Sequence, residues 1–163
     1  MNHAGCGIQN KKFNVVSRAS RIQCSPSRIP SMNLEIFTLC DAATVSGGKL
    51  NLLGSFDTIA AAHFPCKHPL CAIAIRLRFD LGEEGRHSIQ VHFCDPDMRP
   101  VMKPMIQEIN VQIANERSQT IMHIWNLFVF ELKGAGEYYF ELKVDDENIS
   151  RLPLYVLEAS QPQ

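Results

Sequence analysis

Between Leu70 and Asp80 the chain alternates without a fault, with Cys71, Ile73, Ile75, Leu77 and Phe79 on one parity and Ala72, Ala74, Arg76 and Arg78 on the other. A period of two sends successive side chains to opposite faces of a strand, so this stretch reads as β structure with one strongly apolar face. The pattern recurs along the chain. Residues 49–57 set Leu50, Leu52 and Phe56 against Lys49, Asn51, Ser55 and Asp57. Residues 86–94 set His87, Ile89, Val91 and Phe93 against Arg86, Ser88, Gln90 and His92. Ile109, Val111 and Ile113 repeat it within 103–114, and Tyr138, Phe140, Leu142 and Val144 repeat it after Gly136.

Turn chemistry separates these runs. Gly47-Gly48 can take the positive φ of a tight hairpin, Asp95-Pro96 with Pro100 marks a second turn, and Asp145-Asp146 with Asn148 a third. Gly54, inside a strand, suggests a bulge. Pro65 and Pro69 argue against a central strand or a helix interior over 58–69, leaving at most one short turn of helix at 59–64. Pro153 argues that the last strand lies at an edge. Two runs, 33–45 and 119–132, are apolar on both parities, and the second is expected to be a central strand covered on both faces. Eight strands and no useful helical period give an all-β fold, an antiparallel two-sheet β-sandwich, immunoglobulin-like or similar. A closed β-barrel is the alternative at this strand number.

Length allows one domain, and 45% apolar residues supply one core without metal or disulfide staples. The net charge of -1 hides a division at Met32. Residues 1–31 carry Lys11, Lys12, Arg18, Arg21 and Arg28 and no acid, so they read as a basic disordered extension upstream of a natural start at Met32. A short disordered tail is expected at 160–163. The 132 residues from Met32 onward hold 11 basic and 17 acidic side chains. That balance argues against binding nucleic acid, which needs clustered Lys and Arg. No secretory leader and no apolar run of 18 residues is present, so neither export nor a membrane-spanning helix is expected. The cytoplasm is then the expected compartment, with Cys40, Cys66, Cys71 and Cys94 as free thiols. Cys40 and Cys94 read as small apolar residues at strand ends.

Three segments, DAATVSGGKLNLLGSFD (41–57), HFPCKHPLCAIAIRLRFD (63–80) and GEYYFELKVDDENISRLPLYV (136–156), together resemble a family of uncharacterised bacterial proteins. That family is known as a domain of unknown function made of small stand-alone chains. The resemblance covers about 32–159 and implies a bacterial origin and a β-sandwich. It implies no activity, so it lends no functional residue.

The densest group of chemically able residues is His63, Cys66, His68 and Cys71. Imidazole and thiolate could supply a tetrahedral zinc set, but the ligands are not paired as on a zinc knuckle, and Cys71 falls on the apolar face of a strand. Cys66 with His63 or His68 could be a nucleophile and base, yet no orienting third residue or nucleophile turn accompanies them. The acidic turns at 95–97 and 145–148 could bind calcium, although Asp and Asn are favoured in turns regardless. His123, beside Trp125 in an apolar run, reads as a core histidine. Arg76 and Arg78 share one face and would either pair with a carboxylate across strands or grip an anionic ligand, with His68 a further ligand-binding candidate. No catalytic constellation and no cofactor are expected. The function most in keeping with the sequence is a non-enzymatic cytoplasmic protein-binding or self-associating module. A small-molecule or metal-ion binding domain using the 63–71 loop is the alternative.

Overall fold

A computed structural model describes residues 32–114 and 117–159. The expectations for 1–31 and 160–163 lie outside the described residues. Nine strands occur in chain order: β1 (Asn33–Ser46), β2 (Lys49–Phe56), β3 (Thr58–Ala61), β4 (Cys66–Asp80), β5 (Gly85–Cys94), β6 (Met105–Val111), β7 (Ser118–Leu132), β8 (Gly136–Val144) and β9 (Glu147–Glu158). They form two sheets, one ordered β2-β1-β4-β7 and the other β3-β9-β8-β5-β6. The sheets pack face to face and do not close, which settles the choice in favour of the sandwich over the barrel.

The alternation dictates which faces meet. From the first sheet come Leu39, Ile73, Ile75, Leu77, Phe79 and Leu132, and from the second Ile89, Val91, Phe93, Phe140, Leu142 and Leu154, all essentially inaccessible to solvent. Phe93 stacks on Phe140 with centroids 4.2 Å apart and meets Phe130 edge-on across the sandwich. Each fully buried Leu, Ile or Phe contributes roughly 1.5–3 kcal/mol relative to exposure, so this interior is the main stabilising element.

Three expectations are corrected. The segment 59–64 holds no helical turn: Thr58–Ala61 is a ninth strand, and it runs parallel to β9, from Thr58↔Tyr155 to Ala61↔Glu158. Second, Pro69 does lie in the interior strand β4, and Pro153 in β9, which has neighbours on both sides. Both prolines sit where one neighbour is absent. The pairing of β1 with β4 ends at Cys40↔Ala72, and β3 reaches β9 only from Tyr155, so neither missing N–H interrupts a ladder. Third, β7 is an edge strand and not a central one, paired with β4 alone.

Candidate functional site

The sequence-derived candidates separate along β4. Cys66 opens that strand and is half-buried, His63 lies ahead of it, and Cys71 is fully buried in the core. Burial pushes the Cys71 thiol up to about 12, with Cys40 and Asp41 adding to the shift, so it is neither a ready thiolate ligand nor a nucleophile at neutral pH. Among the described residues, no three His, Cys, Asp or Glu side chains gather as metal ligands would. The stretch 63–71 is a loop only up to Pro65, because β4 starts five residues earlier than Cys71. His68 is turned among aromatic rings, 5.8 Å from Phe56 and 5.3 Å from Phe130 by centroids.

Arg76 and Arg78 stand on the outer face of the four-stranded sheet. A β-bulge between Leu34 and Ile36 carries Glu35 to that face, where its carboxylate meets Arg76 Nε at 2.9 Å and Arg78 Nε at 3.6 Å. Neither Nε–H is aligned on an acceptor, so these are charge pairs more than directed hydrogen bonds. Glu35 is the carboxylate partner weighed from sequence, but alternation alone could not name it.

Beyond this ion pair the same outer face carries apolar residues interrupted by Thr38, Thr120 and Asn126. Cys40, Ala72 and Ala74 form a second small buried cluster, with Ala43, Leu50 and Ile124 packed against it. In register, Arg76 lies opposite Met122, Ala74 opposite Ile124 and Leu70 opposite Phe128, so these side chains share one face. At its end Phe128 is 76% exposed, Val129 59% and Leu70 49%. Val129 takes a φ of 45°, a conformation strained for a β-branched residue, and it locally breaks the pairing with Pro69. The opposite, inner parity of β7 places Ile121, Trp125 and Leu127 against the core. His123 shares that side, half-buried and edge-on to Trp125, and burial holds its pKa below the usual imidazole range.

At one end of the sandwich the β4–β5 and β8–β9 turns enclose a cavity of about 530 Å³ floored by Phe79, Val144 and Ile149. Several of its polar groups are bonded to one another. His87 Nδ1 donates to Asp145 Oδ2 at 2.7 Å and Nε2 to the Glu83 carbonyl at 2.8 Å, while the Ser88 amide donates to Asp145 Oδ1. Burial alone would lower the His87 pKa, but two acceptors with the charges of Asp145 and Glu83 raise it overall. Asp145 and Asp146 both have positive φ, the pairing a two-residue hairpin of the I′ type requires. The acidic turn is thus a structural latch between hairpins, which sequence reasoning recognised only as turn chemistry.

Comparison with known proteins yields a family and little else. A family model described as a family of unknown function (DUF6941) matches residues 35–157. No curated protein matches. Among solved structures, a beta-glucosidase from Listeria innocua in complex with isofagomine is similar at 10% identity and a TM-score of 0.45. The same enzyme without that ligand and with glucose gives 9% and 0.46. In each case the likeness covers 77% of this chain but only 16% of the other, and at that level it bears on no activity.

Proposed function

The chain belongs to the DUF6941 family of unknown function, and we propose that it is a non-enzymatic, self-associating β-sandwich module whose β7 edges pair about a two-fold axis. One observation carries the reading. β7 is a fifteen-residue edge strand, SQTIMHIWNLFVFEL, with Glu131 its one carboxylate and no Lys, Arg or Pro. Edge strands offer unpaired N–H and C=O groups, and proteins that stay monomeric blunt them with charge, proline or brevity. The other edges are shorter: β3 has four residues, β6 has seven and includes Glu108, and β2 has eight and carries Lys49.

The strand also complements itself. Antiparallel pairing centred on Trp125 sets Met122 of one copy opposite Phe128 of the other, and Ile124 opposite Asn126. Phe128, the most exposed large apolar side chain of the strand, would then be covered by an apolar partner on the same sheet face. The four cysteines among the described residues, Cys40, Cys66, Cys71 and Cys94, are free thiols, which accords with a reducing compartment such as the cytoplasm.

Light scattering on the full chain tests the reading, with Phe128→Asp as the comparison. The parent is expected at twice the chain mass. The variant, altered at an exposed position, is expected at one chain mass with unchanged circular dichroism. A monomeric parent at micromolar concentration, or a variant that still dimerises, rejects the proposal.

A further inference from the structure

We infer that a lateral cleft at the opposite edge of the sandwich, between β2, β3 and the start of β4, binds a small organic cation with Asp41 as its counter-charge. The cleft has a volume of about 450 Å³, and Asp41, Gly54, Ser55, Phe56, Ile59 and His68 line it. That volume lies in the lower part of the range of roughly 300–1,000 Å³ typical of small-molecule sites.

The carboxylate has a purpose-built seat. Gly54 has a φ of 62°, and a Cβ there would overlap the Asp41 carboxyl group, so the position is open to glycine alone on two counts. Asp41 nevertheless makes no ion pair among the described residues. It is also the one formally charged side chain among those lining the cleft. A carboxylate held over a glycine and left without a cation leaves one negative charge at the mouth of a partly apolar pocket.

The neighbouring walls suit a cation with a short apolar stem. Phe56 offers an aromatic ring, whose face attracts ammonium groups. His68 is wedged between Phe56 and Phe130, with Nε2 buried and without a partner. Burial lowers its pKa, against a smaller opposing effect of Asp41, so the ring is neutral at pH 7 and does not cancel the carboxylate charge. Ser55 also lines the cleft, with its hydroxyl committed to a 2.6 Å hydrogen bond with Thr38. Anionic ligands meet repulsion and no donor of positive charge.

The sheet order places β2 and β7 at opposite ends of the first sheet, and the cleft meets β7 only where His68 packs on Phe130, so Asp41→Asn probes the cleft and Phe128→Asp the association edge separately. The test is a titration of the full ¹⁵N-labelled chain, followed by amide NMR, with 2-phenylethylammonium, 2-phenylethanol and 3-phenylpropionate. Saturable shifts at Gly54, Ser55, Phe56 and His68 are expected for the ammonium and not for the other two. Asp41→Asn should weaken binding by roughly tenfold, the loss of one charge-assisted contact. Gly54→Ala should weaken it comparably by displacing the carboxylate, and a well-dispersed spectrum of Asp41→Asn separates lost binding from lost folding. No saturable shifts with the ammonium, equal binding of the alcohol, or undiminished binding by Asp41→Asn overturns the inference.

Discussion

His87 and His123 show how one residue type acquires opposite roles from its surroundings. The folded pKa of His87 is raised above the ordinary value near 6.5, so its contribution to stability is complete below that pH and is lost as the pH rises through the folded pKa. His123 has a lowered pKa, and its preference for the neutral form favours the fold above about 6.5 and is lost as the pH falls. Replacing His87 by Gln should therefore flatten the decline in stability above about pH 6.5, measured by urea unfolding across pH, while His123→Gln should flatten the acid side. In the core, Phe140→Ala removes a ring stacked on Phe93 and should cost about 3–5 kcal/mol in the same measurement. The core residues were legible one by one from alternation, since Ile73, Ile75, Ile89, Val91, Phe140 and Leu142 all took the face their parity assigned. The partners of polar residues were not. Glu35 reaches Arg76 and Arg78 through a bulge, and Asp145 reaches His87 across 58 positions of chain, contacts that no local period encodes.

The elements divide between those with local signals and those fixed by tertiary pairing. The Gly47-Gly48 and Asp145-Asp146 turns announced their hairpins because positive φ restricts which residues can stand there. Asp146→Gly should raise stability by about 0.5–1 kcal/mol in urea unfolding, because relief of left-handed strain at a turn position outweighs loss of its exposed hydrogen bond from Gln90. β3 had no such signal, since Thr-Ile-Ala-Ala is short, lacks clear alternation and gains its strand character from hydrogen bonds to β9. Pro69 and Pro153 are silent on strand order for a related reason: a proline reports a missing donor at one position and says nothing about neighbours farther along the same strand. The edge position of β7 is not legible either, because apolar residues on both parities signify two covered faces without saying what covers the second.

For the whole molecule, that same double-sided character is the property with functional weight. One face of β7 closes the core through Ile121, Trp125 and Leu127, while the other presents Met122, Ile124 and Phe128 outside it. A second copy placed antiparallel along β7 would join two four-stranded sheets into one of eight and set that outer row side by side with its symmetry mate, leaving the Asp41 cleft open toward each far edge. The most direct measurement is disulfide trapping in a chain bearing both Met122→Cys and Phe128→Cys. Directly opposite residues of an antiparallel pair lie about 4.5–5.5 Å apart at Cα, within disulfide reach, whereas six positions along one strand span roughly 20 Å. Mild oxidation should therefore give a covalent dimer quantitatively, and a control with Met122→Cys and Ile124→Cys should stay largely uncrosslinked. Monomer alone, or equal trapping in both chains, would contradict pairing of β7 with itself.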